Sequence, residues 1–217
     1  MRENSGPESL TILGHLGMAG RMFVLLKNEK LPRHAAIVFD LGDCNFIYED
    51  HRYFGRMATD LSPIGELGPE PLGARFSPEY LAKELKKSRQ AIKVKLLDQT
   101  LVAGIGNIYA VEALFRARLS PRRPANRLAR VEIRRLWSGI RDVLKEAIRR
   151  GATLPLKTMS GKSDALFYYS DDGEGGYAER LRVYGREAQP CQTCGAAIRR
   201  MTQAGRGTFY CPQCQKG

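Results

Sequence analysis

Four cysteines near the end of this 217-residue chain constrain its fold more than any other feature. They form two CxxC pairs, Cys191 with Cys194 and Cys211 with Cys214, and sixteen residues separate the pairs. Each CxxC pair is a short knuckle that turns two thiolates toward one point, and two knuckles complete a tetrahedron around zinc. A redox pair would need only one CxxC. We therefore predict one closed, structural zinc site of the zinc-ribbon type in a reducing compartment.

The stretch between the cysteine pairs has the pattern of a β-hairpin. Ile198 and Met201 lie on one predicted arm, Phe209 and Tyr210 lie on the other, and residues 205–207 (GRG) form the bend. Three arginines belong to this hairpin: Arg199, Arg200 and Arg206. Because a guanidinium at a β-turn is well placed to bind phosphate, the hairpin predicts contact with a polyanion.

A second informative stretch runs from residue 91 to residue 121. Apolar residues recur at helical spacing on both sides of a glycine turn: Leu96, Leu97, Leu101 and Val102 before it, and Ile108, Val111, Ala113, Leu114 and Phe115 after it. We expect two helices joined by residues 104–107 (GIGN), with Asn107 as the N-cap of the second helix. Such a turn directs a helix N-terminus at an anion. An ordinary helical hairpin explains the same pattern, and the glycines do not form a dinucleotide fingerprint.

Charge is unevenly distributed along the chain. The formal net charge is +12, and residues 83–150 alone carry 18 basic and 6 acidic side chains. A local excess of this kind favours a polyanionic partner, most commonly nucleic acid, over a merely soluble basic surface. No apolar run is long enough to span a membrane, and residues 1–4 (MREN) do not open a secretory signal, which predicts a soluble intracellular protein.

The remaining segments suggest strands first and helices later. We expect strands within residues 10–26, a hairpin over residues 35–50 with its turn at 41–43, and a domain boundary in the proline- and glycine-rich residues 61–73. Helices should begin at Ser77 as N-cap and Pro78 as first helical residue. Residues 131–150 predict an amphipathic helix capped by Gly151. Cys44 and the three histidines receive no chemical role.

Taken together, the motifs resemble the formamidopyrimidine-DNA glycosylase family. The motifs occur in order along nearly the whole chain: HLGM at 15–18, D-x-R-x-F-G at 50–55, LGPEPL at 67–72, LLDQ..VAGIGNIYA.EALF at 96–115, VYGR at 183–186, and the terminal zinc ribbon. The resemblance implies an α+β fold with the remaining part of an N-terminal β-sandwich (residues 1–72), a helix–two-turn–helix domain (73–187) and a zinc finger (188–217). DNA would bind in the cleft between the domains.

The same resemblance implies roles for individual residues. Met18 matches the side chain that fills the space left by a flipped base, Arg52 the one that pairs with the orphaned partner base, and Phe54 the wedge beside it. Asn107 and Arg206 match the pair that holds the phosphates flanking the lesion. These roles agree with the physics, because the void left by an extruded base must be filled and the bent backbone must be held.

The function implied is base-excision repair by a DNA glycosylase and AP lyase that removes oxidised purines, 8-oxoguanine and formamidopyrimidines, from damaged double-stranded DNA. We expect one structural Zn2+, a monomer, and a cytoplasmic, nucleoid-associated protein of the bacterial type. Family members begin with a proline nucleophile and an acid/base glutamate, and motif registration places both before Met1. We therefore expect a truncated member without catalytic residues, for which activity is doubtful.

Two other functions stay open at this stage. A zinc-dependent protein that binds damaged DNA without catalysis would keep the helical domain and the ribbon for binding alone. A zinc-ribbon module that acts on RNA or protein is the third candidate. Tyr53, where a basic residue is common in the family, and the unusual residues 155–172 leave the preferred lesion undefined.

Overall fold

The computed structural model describes residues 10–17, 20–149, 154–155, 167–168 and 181–216. The chain divides into two compact units, one formed by Met1–Gly65 with Thr153–Glu174 and the other by Glu66–Ala152 with Gly175–Gly217. This division falls inside the proline- and glycine-rich stretch at residues 61–73. The domain limits at 72/73 and 187/188 stay predictions.

Strands dominate the first unit. Its elements, with one short helix, are β1 (Leu13–His15), β2 (Arg21–Leu26), β3 (Ala35–Asp40), β4 (Cys44–Glu49), β5 (Arg56–Ala58), α1 (Ser62–Gly65), β6 (Leu154–Pro155) and β7 (Phe167–Tyr168). The antiparallel sheets are β2-β4-β3, β1-β5 and β6-β7. The predicted hairpin over residues 35–50 is therefore confirmed, and Cys44 begins its second strand. Phe23, Leu25 and Ile47 form a small buried core with Ala35 packed against it.

Helices form the larger core of the second unit. They are α2 (Pro78–Leu85), α3 (Ile92–Leu96), α4 (Asn107–Arg116), a 3-10 turn (Ala125–Arg127) and α5 (Arg130–Arg149). Ser77 is the N-cap of α2, as predicted, because its side chain accepts a hydrogen bond from Tyr80 N–H. The apolar stripe of α5 buries Leu136, Ile140 and Val143 in one continuous core with α2, α3 and α4. None of the described helices combines the length and apolar character needed to cross a membrane.

The first helix of the predicted pair is shorter than the apolar spacing indicated. It ends at Leu96, because Asp98 accepts hydrogen bonds from the N–H and hydroxyl of Thr100 and so offers the backbone an alternative to the helix. Leu101 and Val102 are nevertheless fully buried. Both residues are apolar because they are buried, and by their positions in the sequence they continue the helical spacing although they lie outside any helix.

The prediction that Asn107 caps α4 is wrong. Gly106 occupies the N-cap position with extended backbone angles, and Asn107 is the first helical residue. The Asn107 side chain instead donates from Nδ2 to the carbonyl oxygen of Gly207, 3.0 Å away. Asn107 therefore joins α4 to the cysteine-bearing segment.

The C-terminal segment folds as the predicted hairpin. Strands β8 (Arg199–Gln203) and β9 (Arg206–Tyr210) pair antiparallel about a turn in which Ala204 and Gly205 both have positive φ angles. An apolar cluster joins the hairpin and its knuckles to α4: Val111, Phe115, Val183, Cys191, Ile198 and Cys211. Buried Gln215 adds a polar tie, because its Nε2 donates to the Leu119 carbonyl and its Oε1 accepts from Cys211 N–H. These elements confirm the predicted α+β class.

Candidate metal centre and nucleic-acid interface

The four cysteine sulfurs converge as a tetrahedral metal requires. All four Sγ atoms lie within 4.8 Å of one another, with 3.9 Å between Cys191 and Cys214 and 3.5 Å between Cys194 and Cys211. A tetrahedron with zinc–sulfur bonds of about 2.3 Å has sulfur–sulfur edges of about 3.8 Å, so the cluster has the size of a four-cysteine zinc site. These residues are the only group of three or more potential metal ligands among the residues that the structure describes.

The electrostatics of the cluster also favour a cation. Burial would raise the pKa of Cys191, but N–H donors from Thr193 and Cys194 and the neighbouring sulfurs outweigh it and lower the pKa to about 7. Burial and the neighbouring thiols raise the pKa of Cys214 to about 12. One thiolate forms readily and further thiolates are opposed by it, so the set needs a positive charge at its centre.

A second cluster contains a buried ammonium group. Lys93 of α3 is fully buried, and its Nζ has no hydrogen-bond partner among the described residues. Burial and the positive charge of Arg206 lower the pKa of Lys93 to about 8. Burying an amine beside a second cation is unfavourable unless an anion compensates. This arrangement is typical of a binding site for an anion.

Asn107 and the ribbon hairpin contribute to the same part of the second unit. The Oδ1 of Asn107 and the hydroxyl of Thr208 are buried without partners in the described structure. Gln203 donates from Nε2 to the Pro121 carbonyl, which also accepts from Lys93 N–H, so the hairpin and the start of α3 meet there. We group Lys93, Asn107, Arg206 and Thr208 as a candidate phosphate-binding set, called the phosphate pocket.

The loop between β4 and β5 presents the other predicted DNA-binding side chains. Arg52 and Phe54 are both exposed, and the Arg52 guanidinium carbon lies 4.9 Å from the centre of the Phe54 ring. An exposed phenylalanine next to an arginine suits contact with an unstacked base. Met18, the third side chain predicted to enter DNA, lies outside the described residues. So do residues 156–166 and 169–172 of the unusual stretch at 155–172.

Comparison with known proteins assigns the chain to a family. A profile described as the formamidopyrimidine-DNA glycosylase H2TH domain matches residues 67–158, and one described as a zinc finger found in FPG and IleRS matches residues 188–217. The formamidopyrimidine-DNA glycosylase of Pelotomaculum thermopropionicum is 42% identical over 217 residues, covering 96% of this chain and 75% of the relative. This chain belongs to the formamidopyrimidine-DNA glycosylase family. The enzyme of Geobacillus kaustophilus is likewise 42% identical, over 94% of this chain and 74% of that protein.

Solved structures of formamidopyrimidine-DNA glycosylases support the same assignment. The crystal structure of MutM (Fpg) from Thermus thermophilus matches with a TM-score of 0.77 and 39% identity, over 94% of this chain and 75% of that one. A Lactococcus lactis Fpg in complex with DNA that contains an abasic site matches with a TM-score of 0.80 and 31% identity, over 95% and 75%. The zinc-finger match and the sulfur geometry together assign one structural Zn2+ to the four cysteines of this family member.

Sequence reasoning missed Lys93 and Thr208 in this glycosylase-family chain. Lys93 precedes Asn107 in the predicted helix pair, but nothing in its local sequence distinguishes it from Lys95, which pairs with Asp98 at 2.6 Å. Both lysines lie between apolar residues, so the sequence around Lys93 carries no signal of its own. The proximity of Arg206, which lies in the ribbon, becomes apparent only in the folded chain.

Proposed function

We propose that this chain acts in base-excision repair as a DNA glycosylase and AP lyase on duplex DNA that contains oxidised purines. The observation that carries the proposal is the phosphate pocket, in which the Lys93 ammonium is buried near Arg206 and has no hydrogen-bond partner among the described residues. A backbone phosphate carries negative charge and accepts hydrogen bonds from an ammonium and a guanidinium.

Contacts within the protein hold the residues of the phosphate pocket in place. Asn107 is held by its hydrogen bond to Gly207, and the hairpin is held against α4 by a buried apolar cluster. We propose that Asn107 and Arg206 hold the phosphates beside the lesion and that Lys93 compensates their charge from below. Holding these phosphates keeps the backbone bent while the damaged nucleotide leaves the stack.

The exposed loop of the first unit serves the base pair itself. Extruding a base costs a few kcal/mol of stacking and pairing. We propose that Phe54 enters the stack as a wedge, that Arg52 donates to the base left without its partner, and that Met18 fills the space of the extruded nucleotide. The guanidinium of Arg52 carries several donors in one plane, which suits the edge of a base.

Zinc supplies no reaction chemistry in this proposal, since all four positions of its coordination shell are taken by cysteine. Its contribution is to hold the hairpin that carries Arg206. We assign no nucleophile among the described residues. We further propose that the protein acts as a monomer on nucleoid DNA in the bacterial cytoplasm.

Borohydride trapping tests the proposal directly. The chain is incubated with a duplex that contains an abasic site or 8-oxoguanine, and sodium borohydride reduces the imine that a lyase forms with the sugar. A covalent protein–DNA adduct supports the glycosylase and lyase function. Preferential binding of the damaged duplex without an adduct would instead favour a non-catalytic damaged-DNA-binding protein. Equal binding of damaged and intact duplexes would contradict both.

A further inference from the structure

Two segments that carry predicted DNA-inserting residues meet in the first unit. The segment between β4 and β5 carries Arg52 and Phe54, and the segment between β1 and β2 includes Met18. One buried pair of side chains, Tyr48 and Asp50, contacts the backbone of the first segment and reaches the second. Neither side chain of the pair is exposed to bind DNA itself.

Asp50 organises the backbone of the loop that follows it. Its carboxylate is fully buried; one oxygen accepts from Arg52 N–H at 3.0 Å, and the other accepts from Gly55 N–H at 2.8 Å. The Tyr48 hydroxyl donates to that second oxygen at 3.0 Å. These donors are neutral, so the buried charge is compensated by directed hydrogen bonds that only this loop conformation provides.

The protonation states favour the same arrangement. Burial would raise the pKa of Asp50, but hydrogen bonds from Gly55, Arg52 and Tyr48 outweigh it and hold the pKa below its ordinary value of 3.8. Burial and the Asp50 carboxylate raise the pKa of Tyr48 to about 12. At neutral pH the carboxylate is therefore an acceptor on both oxygens and the phenol remains a donor.

Glycines on both segments make room for the phenol of Tyr48. A Cβ atom on Gly55 would overlap the Tyr48 hydroxyl, and one on Gly20 would lie 2.6 Å from it. A Cβ atom on Gly17 would lie 2.9 Å from Gly55 N, so the two segments are also in direct backbone contact. The phenol is thus enclosed between Gly20 and Gly55.

The loop between β4 and β5 needs such support because its own backbone is strained. Tyr53 has a φ angle of +53°, in the left-handed region that favours glycine, and its side chain is exposed. A residue in this region persists only when its surroundings hold it there. On either side of Tyr53, Arg52 N–H and Gly55 N–H both donate to the Asp50 carboxylate.

We propose that Tyr48 and Asp50 are positioning residues for base extrusion, which hold the loop of Arg52 and Phe54 in one fixed arrangement for entry into DNA. This inference rests on the proposed function. If the pair holds the loop rigid, its loss should reduce the preference of the chain for DNA with an open base stack. Its loss should affect the affinity for the DNA backbone much less.

The test uses a duplex in which a tetrahydrofuran residue, an abasic-site analogue, leaves a gap in the base stack; we call it the gapped duplex. The base opposite is 2-aminopurine, and its fluorescence rises when the stack is opened. Asp50→Asn keeps the size of the side chain, but its amide nitrogen cannot accept a hydrogen bond. We expect the preference for the gapped over the intact duplex to fall about tenfold in Asp50→Asn, which removes the charge that accepts from Arg52 N–H, Gly55 N–H and Tyr48. In Tyr48→Phe it should fall about threefold, because only one of these hydrogen bonds is lost. The fluorescence rise at saturation should fall in parallel.

Affinity for the intact duplex distinguishes a positioning role from a general loss of structure, because unfolding would lower this affinity as well. It should stay within about twofold of the wild-type chain, because the phosphate pocket belongs to the other compact unit and is untouched. Asp43→Asn, a change of an exposed acid at the turn between β3 and β4, is the matched control and should leave gap preference and fluorescence unchanged.

The outcomes separate this inference from the proposed function. If the wild-type chain prefers the gapped duplex and a folded Asp50→Asn chain keeps that preference and the fluorescence rise, the positioning role is overturned. If Asp50→Asn does not fold, Tyr48→Phe decides: a loss of preference supports the role, and full retention overturns it. If the wild-type chain itself ignores the gap, the proposed function fails and the positioning role fails with it.

Discussion

Lys93 shows how one side chain can indicate a binding site before any ligand is known. Its ammonium group is buried, has no hydrogen-bond partner among the described residues, and lies near the positive charge of Arg206. A chain that gained nothing from this arrangement would be more stable with an apolar residue there. We therefore infer that binding of a phosphate offsets the free-energy cost of burying the Lys93 ammonium.

The pH dependence of DNA affinity should report on Lys93. Its pKa of about 8 in the free protein lies below the ordinary 10.5, and a bound phosphate favours the ammonium form and raises it. Binding then takes up a proton, so affinity should be constant below about pH 7 and should fall as pH rises through 8. Fluorescence anisotropy at constant ionic strength measures this.

Lys93→Met should bind more weakly at neutral pH and lose the fall in affinity above pH 8, since no amine remains to titrate. The same substitution should raise the free energy of unfolding below about pH 8, where the buried amine must be charged, and the gain should vanish toward pH 10.5. Lys86→Met, at an exposed position after α2, is the control. An unaltered pH profile in Lys93→Met would contradict the role.

Arg206 can be tested through salt dependence. If its guanidinium binds one phosphate, Arg206→Ala should weaken binding to duplexes of every sequence and reduce the slope of log affinity against log salt by about 1. Arg135→Ala removes an exposed arginine from α5 and should leave the slope nearly unchanged. Equal slopes in the wild-type and Arg206→Ala chains would refute the contact.

At the scale of elements, the turn between α3 and α4 determines where the phosphate pocket forms. Gln99 bridges this turn: its Oε1 accepts from Gly104 N–H at 2.8 Å, and its Nε2 donates to the carbonyls of Leu97 and Ile105. Gly104 itself has a φ angle of +74°, which suits glycine. Gln99 therefore adds to the shared apolar core in holding the first turn of α4, with Asn107, relative to α3.

Gln99→Ala should destabilise this connection. The loss of its hydrogen bonds should lower the free energy of unfolding by about 1–3 kcal/mol, measured by urea denaturation. DNA affinity should fall as well, because Asn107 and Lys93 lose their fixed separation. Gln90→Ala, an exposed position before α3, should have little effect on either. Unchanged stability in Gln99→Ala would show that the turn is held by its apolar residues alone.

These elements show what sequence patterns can and cannot predict. The ribbon was predictable because zinc accepts few ligand spacings, and the start of α2 because Ser77 and Pro78 act locally. The end of α3 was not, since apolar spacing does not register that Asp98 and Gln99 hydrogen-bond the backbone. Of the proposed phosphate pocket, the sequence indicates Asn107 and Arg206 but not Lys93, because Lys93 is brought near Arg206 only by folding of a hairpin that is distant in sequence.

At the scale of the molecule, the metal site and the proposed phosphate pocket are joined through α4 and the hairpin. Cys191 and Cys211 belong to the same apolar cluster as Val111 and Phe115 of α4. The hairpin between the knuckles supplies Arg206 and the carbonyl of Gly207 that holds Asn107. Loss of the metal should therefore disturb the phosphate pocket.

Cys211→Ser should abolish zinc binding, unfold the hairpin and weaken DNA binding by at least about tenfold, because folding of a small metal site depends on the metal. Metal content per chain and anisotropy measure both effects. Cys44→Ser, a change in β4, should keep one zinc per chain. Retention of a full equivalent of zinc by Cys211→Ser would contradict the assignment.

The single tryptophan of the chain lies in the second unit, so the two units differ in intrinsic fluorescence. Trp137 in α5 donates from its indole nitrogen to the Phe76 carbonyl at 2.7 Å, and the Arg141 guanidinium carbon lies 5.0 Å from the centre of the indole ring. Both contacts belong to the second unit, so tryptophan emission on excitation at the red edge reports the melting of that unit and not directly that of the first unit. Unfolding experiments on Tyr48 or Asp50 variants consequently need a separate fluorescent reporter, whereas those on Gln99 variants can use the intrinsic fluorescence of Trp137.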